Sequence, residues 1–189
     1  MKAILMPSNI EIKAVLYNRA AAVTVAVRLS DAGPETICQE DIFFRCDGAR
    51  LKLRILGADR GELIRYERPD MADARCSRYM IARTTDPQIL QEILTKTLGV
   101  MGVVKKTRTL YLIGQTRVHI DEVQGLGSFL ELEVVLQPGQ SDIEGKAVAE
   151  RLMSEFGIDK RQLIPEAYVE LLSRRLHSTE RPNLGSVSP

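Results

Sequence analysis

The sequence predicts an α+β fold in which about eight antiparallel strands close into a β-barrel flanked by helices. Three observations carry this. Short segments that alternate apolar and polar residues recur along the chain, as strands with one covered face do. Short turn-forming connections join most of them, so sequence neighbours pair antiparallel. Closure into a barrel then removes the exposed edges that so many strands would otherwise present.

The elements follow in order. Asn9 to Tyr17 is a strand with Asn9, Glu11 and Lys13 on one face and Ile10, Ile12 and Ala14 on the other. Asn18 to Leu29 carries a strand signal in Val23, Val25 and Val27, but its Ala-rich start behind Asn18 as N-cap reads as a helix. Asp31-Ala32-Gly33-Pro34 is a loop, and Thr36 to Phe44 is a strand. Asp47-Gly48 marks a hairpin turn into Arg50-Leu51-Lys52-Leu53-Arg54-Ile55, with three cations on one face and three aliphatics on the other. Gly57 to Gly61 turns, Glu62 to Arg68 returns, Pro69 to Arg75 is a loop, and Ser77 to Arg83 is a further strand.

Asp86 as N-cap and Pro87 at the first position open a helix. Its apolar stripe is Ile89, Leu90, Ile93, Leu94 and Leu98, and Gly99 closes it. Strands Val103 to Ile113, Arg117 to Val123 and Phe129 to Leu136 come next, joined by turns at Gly114-Gln115 and Gln124 to Gly127. In the last of these, Leu130, Leu132 and Val134 share one face, and Phe129, Glu131 and Glu133 the other. Ser141 to Glu144 is a capping box that starts a helix ending near Phe156, with Gly157 as its stop. Pro165 starts a last helix, with Tyr168, Val169, Leu171 and Leu172 as its buried side. Residues 1–176 read as one domain and 177–189 as a polar, disordered tail.

Composition narrows the function classes. The chain has 189 residues, 27% charged and 44% hydrophobic, with a net charge of +1. That balance gives no general pull toward nucleic acid or a membrane. Three cysteines, an odd count without a C-x-x-C pair, fit a reducing compartment, and the chain reads as cytoplasmic. Cys38 and Cys46 are expected to be small buried or half-buried residues.

The charges segregate by strand face. Glu11 lies with Lys13, Arg50 with Lys52 and Arg54, Lys106 with Arg108, Arg117 with His119 and Asp121, and Glu131 with Glu133. One wet face of an antiparallel sheet accounts for such a pattern. The cation run of Arg50, Lys52 and Arg54 has no acid within it to relieve repulsion, which points instead to a polar tunnel. Such a tunnel suits a polyanion bridged by a metal: Arg and Lys grip phosphate oxygens, and carboxylates hold the cation.

Asn9-Ile10-Glu11-Ile12-Lys13 resembles the E-x-E-x-K strand of the CYTH superfamily, the triphosphate tunnel metalloenzymes. Arg50 to Arg54 is similar to its basic second motif, and Lys106-Thr107-Arg108 to its K-x-R. Val118 to Glu133, with Asp121 ahead of Glu131-Leu132-Glu133, resembles the closing motif of the class IV adenylate cyclase branch. The likeness runs from about Pro7 to Leu172, with one departure: Asn9 stands where the pattern has its first Glu.

This resemblance implies a tunnel open at both ends that holds a triphosphate together with Mg²⁺ or Mn²⁺. Glu11, Glu131 and Glu133 are the implied metal ligands. Lys52, Arg54, Arg68, Lys106, Arg108 and Arg117 are the implied phosphate ligands. Lys13 either polarises an attacking water or pairs with a carboxylate, and Asp121 either holds a metal-bound water or makes a hairpin-end salt bridge. His119 shares the charged face, as a proton carrier or as a satisfied structural histidine. Arg50 lies at the strand mouth as a surface residue.

Three functions remain open. A hydrolase of tripolyphosphate or thiamine triphosphate stands first, because the tunnel alone suffices for phosphoryl transfer to water. An adenylate cyclase acting on ATP stands second, since it also needs a base pocket, and a non-catalytic polyphosphate-binding module third. The expected partner is a triphosphate-containing small molecule, with no nucleic acid or membrane, and the chain is a monomer or homodimer.

Overall fold

A computed structural model describes residues 8–67 and 75–179. Eight strands form a closed, wholly antiparallel barrel: β1 (Ser8–Val15), β2 (Ala32–Phe44), β3 (Arg50–Gly57), β4 (Arg60–Glu67), β5 (Arg75–Thr84), β6 (Val100–Ile113), β7 (Thr116–Val123) and β8 (Gly127–Val135). Around the barrel the order is β1-β5-β4-β3-β2-β6-β7-β8, and β8 pairs back onto β1. Four helices accompany it: α1 (Arg19–Leu29), α2 (Pro87–Leu98), α3 (Asp142–Glu155) and α4 (Tyr168–Thr179).

The expected elements are present, with shifted ends. β2 begins at Ala32, inside the stretch read as a loop; a register shift between Ala32 and Glu35 accommodates Pro34, which has no N–H to give the ladder. β6 starts at Val100 rather than Val103, and α4 at Tyr168 rather than Pro165. α4 also runs past His177 to Thr179. The expectations for Arg68, most of the Pro69–Arg75 loop and the tail beyond Thr179 lie outside the described residues.

The barrel is inverted relative to an oily one. Its aliphatic strand faces point outward and are covered by helices. Ile10, Ile12, Leu130, Leu132, Val134, Val118 and Ile120 pack under α1 and α3 in one cluster, most of them almost fully buried. Each such side chain contributes about 1.5–3 kcal/mol on leaving water. α3 lies close enough that a Cβ on Gly145 would stand 2.7 Å from Ile10 Cγ1 and 2.5 Å from Leu136 Cδ2, so only glycine fits there.

Asn18 caps α1 by accepting from Ala21 N–H at 3.0 Å, and Ser141 and Glu144 form the expected capping box on α3. Asp86 holds the N-cap position of α2 but makes no side-chain cap bond. α2 covers Ile42, Phe44 and Leu53 with Leu90, Leu94 and Leu98 only. Ile89 and Ile93, expected in the same stripe, are 62% and 54% exposed, because the narrow seam over β2 and β3 takes one helical row.

A third cluster, Phe43, Val104, Val123, Phe129, Ala167, Tyr168 and Val169, packs the start of α4 against the barrel. Ala167 and Tyr168 of this cluster also line the barrel's cavity, consistent with the expected triphosphate tunnel. Cys38 and Cys46 are exposed rather than buried, the first on the outer face of β2 and the second in the hairpin turn. No helix among the described residues is long and apolar enough to cross a membrane.

Candidate active site

Strand parity turns the charged faces inward around a cavity of about 150 Å³. Glu11, Lys13, Lys52, Arg54, Lys106, Arg108, Arg117, Glu131 and Glu133 all line it. Asp121 lies beneath the lining, fully buried.

Two clamps of matching geometry dominate the wall. On β6 and β7, Lys106 donates to Asp121 Oδ2 at 2.9 Å, while Arg108 lays Nε on Oδ1 at 2.7 Å and an outer nitrogen on Oδ2 at 2.6 Å. On β3 and β2, Lys52 donates to Asp41 Oδ2 at 2.7 Å, with Arg54 Nε on Oδ1 at 2.8 Å and its outer nitrogen on Oδ2 at 3.2 Å. In both, the Arg and Asp are direct partners across an antiparallel ladder, and the Lys stands two residues from the Arg on the same face. Each guanidinium is fixed along its Nε edge by the aspartate across the ladder.

Asp41 was missed by sequence reasoning. Its signal was there: the turn at Asp47-Gly48 sets a register that pairs Asp41 with Arg54. The repulsion in the Arg50, Lys52, Arg54 run is relieved from the neighbouring strand, and Arg50 is not a surface residue but is half-buried on Glu170 of α4 at 2.7 Å.

Burial by itself would raise the Asp41 pKa, but Arg54 and Lys52 outweigh it and hold the carboxyl well below the usual range. Burial and the Arg54 charge lower Lys52 to about 8, against the opposing pull of Asp41. A clamp in which the Lys52 ammonium grips phosphate predicts that affinity falls as pH rises through about 8. We expect the Kd for tripolyphosphate to rise by up to about tenfold per pH unit above that point. Lys52→Arg stays charged there and should abolish the decline; an unaltered profile in that variant would remove Lys52 from the clamp.

Opposite the clamps stand the carboxylates. Glu131 Oε2 accepts from Arg108 and Glu133 Oε2 from Arg117 at 2.8 Å. The other oxygens face weaker company: Glu131 Oε1 is 3.5 Å from Lys13 Nζ, and Glu133 Oε1 is 3.6 Å from His119 Nδ1. Glu11 lies across the ladder from Glu133. Burial raises both pKa values, yet Lys106 and Arg108 pull Glu131 well below its ordinary value. Glu133 is lowered to about 2 by protonated His119, Arg117 and Arg108. Burial, with Arg108, lowers His119 to about 3, so near neutrality the two arginines act on Glu133 without it.

These groups fit a divalent cation. Ligand atoms of His119, Glu131 and Glu133 lie within 4.8 Å of one another, and His119 Nδ1 is buried without a hydrogen-bond partner. Two ligands on opposite sides of a Mg²⁺-sized ion stand about 4.2 Å apart, so small rotations suffice.

Tyr168 forms the floor, a placement its helix position did not reveal. Its hydroxyl donates to Asp121 Oδ2 at 3.1 Å, and Lys13 and Lys106 lie 4.2 and 4.9 Å from its ring centroid. Lys13 also donates to the Glu166 carbonyl at 2.9 Å. Asn9 and Ser77 also line the cavity, and beside them is an apolar wall: Ile64 and Tyr66 of β4 stand directly against Ile81 and Tyr79 of β5. Ile81 is 46% exposed, whereas Lys13, Lys106 and Arg108 are buried, so the cations lie deep and the apolar wall opens outward.

A family model of the CYTH domain matches residues 8–168. A protein of Methanocaldococcus jannaschii named "putative adenylate cyclase" is 29% identical over 175 residues, covering 86% of this chain and 97% of that protein. A solved structure of a Pyrococcus horikoshii protein superimposes with a TM-score of 0.77 at 23% identity, covering 86% of this chain and 98% of the other. Another, titled "putative adenylate cyclase", from Vibrio parahaemolyticus, gives 0.68 at 19% identity over 87% and 97% of the two chains.

Proposed function

The chain belongs to the CYTH domain family, and from that premise we propose that it is a divalent-metal-dependent enzyme that hydrolyses the phosphoanhydride of a triphosphate. The observation that supports this best is the pair of matching Lys-x-Arg clamps facing Glu131 and Glu133 across one cavity. Phosphoryl transfer depends mainly on charge neutralisation and in-line positioning. Lys52 with Arg54 and Lys106 with Arg108 bind the phosphoryl oxygens, and Arg117 assists from β7. Asp121 and Asp41 keep the two guanidiniums in place. Arg68 remains a proposed phosphate ligand from the sequence alone.

Glu131 and Glu133, with Glu11, hold Mg²⁺ or Mn²⁺. The bound ion supplies Lewis-acid neutralisation of the charge that builds up on the transferred group. Lys13, anchored on Glu166, orients and polarises the attacking water near Glu131. Asp121 has both oxygens taken up by Lys106, Arg108 and Tyr168, so it acts by positioning these groups.

Arg54→Ala should weaken tripolyphosphate binding by about 1.5–3 kcal/mol, the range for a hydrogen bond to a charged group. Calorimetric titration at neutral pH measures it, and an unchanged Kd would exclude the β3 clamp from the site.

A second reading, cyclisation of ATP, is favoured by the Ile64, Tyr66, Tyr79 and Ile81 wall. A flat base can stack there while the phosphates reach the buried cations. The names of the Methanocaldococcus and Vibrio proteins lean the same way. Product analysis separates the two: hydrolysis releases orthophosphate, whereas cyclisation releases pyrophosphate and cyclic AMP from ATP and leaves tripolyphosphate untouched.

A further inference from the structure

We propose that His119 supplies a nitrogen ligand to the divalent cation held by Glu131 and Glu133, and that this mixed set favours Mn²⁺ over Mg²⁺; the proposal rests on the metal-dependent reading above. β7 alternates Arg117, His119 and Asp121 inward, and His119 is the ladder partner of Glu131. The two flanking residues are engaged: Arg117 by Glu133, and Asp121 by Lys106 and Arg108. His119 differs. Its side chain is 5% exposed, and Nδ1 has no hydrogen-bond partner among the described residues.

That nitrogen faces Glu133 Oε1 at 3.6 Å, too far for a hydrogen bond but within the span of two ligands of one ion. In either tautomer that buried nitrogen is left without a hydrogen bond, and a cation between the neutral imidazole nitrogen and the carboxylate satisfies both. Glu131 completes the set within 4.8 Å. Mg²⁺ strongly prefers oxygen and holds its waters tightly, whereas a neutral imidazole is a ready ligand for first-row transition ions, so the nitrogen shifts preference toward Mn²⁺.

The test labels the intact protein with ¹⁵N-histidine, adds Mn²⁺ alone, and records pulsed EPR against unlabelled protein. The chain has two histidines. The other, His177, is exposed on α4 with Nδ1 at 2.7 Å from the Ser173 carbonyl, so the label reports on one candidate. The expected result is a ¹⁴N modulation from bound imidazole that changes to the ¹⁵N pattern on labelling. In His119→Gln, the Mn²⁺ Kd should rise about tenfold or more, and the Mg²⁺ Kd by less than about threefold.

Mn²⁺ that binds stoichiometrically without coupling to histidine nitrogen overturns this proposal and leaves the carboxylate-held cation intact. Absence of Mn²⁺ binding to the unmodified protein overturns both. Equal loss of Mg²⁺ and Mn²⁺ affinity in His119→Gln overturns the selectivity. The labelled wild-type measurement stands even if that variant fails to fold.

Discussion

Replacing Asp121 by asparagine should destabilise the protein by about 3–5 kcal/mol, the range for removing one partner of a buried ion pair. The substitution conserves shape, so packing on Tyr168 is kept while the charge is lost. Lys106 and Arg108, 7% and 4% exposed, are then left with Glu131 as their nearest counter-charge. Equilibrium urea unfolding measures the loss.

The pH dependence has a definite sign. The Asp121 pKa is depressed in the fold: burial raises it, and Arg108 and Lys106 more than reverse that. Its stabilisation is thus fully present above the unfolded value of about 3.9 and drains away as pH falls below it. The gap between wild type and Asp121→Asn should narrow toward acid. A variant as stable as wild type at pH 7 would mean that the clamp is held by its surroundings rather than by this carboxylate.

Glu131→Gln should lower turnover by about 10²–10³-fold, several kcal/mol of transition-state stabilisation, while the fold is retained. The amide keeps the volume but removes a charge from the proposed metal set and from the Arg108 and Lys13 pairings. With one negative charge fewer among the lining cations, ground-state binding of tripolyphosphate should hold or tighten. A rise in Kd equal to the fall in turnover would instead place Glu131 in substrate binding. Glu133→Gln should behave alike, with Arg117 as the released partner.

Much of this was legible in residue order because strand parity is strict. Each inward charge alternates with an aliphatic on Ile10–Ala14, Leu51–Ile55 and Leu130–Val134, so one decision about which face is covered places all of them. Pairing across strands was harder to read. Asp41 sits two residues from Phe43 in the buried final stretch of β2, as a lone acid with no charged neighbour on its own face, although the turn beyond it sets its register with Arg54. The clamps are relations between strands, and only one partner of the first carries a run of like charge.

Tyr168 lay beyond local reasoning altogether. Its helical spacing says that it is buried, and it is, but nothing near it in sequence says that its hydroxyl reaches Asp121, 47 residues away. His119 was read among the charged residues of its strand, and its lack of a hydrogen-bond partner becomes visible only once every neighbour has been paired.

Turnover of tripolyphosphate, thiamine triphosphate and ATP with Mg²⁺, with Mn²⁺ and after complete chelation bears most directly on the proposed function. The expected result is phosphate release from at least one of the three that is lost on chelation, returns with added cation, and falls in Glu131→Gln at every metal concentration. Turnover that survives chelation, or a Glu131→Gln protein with wild-type metal dependence, would contradict it.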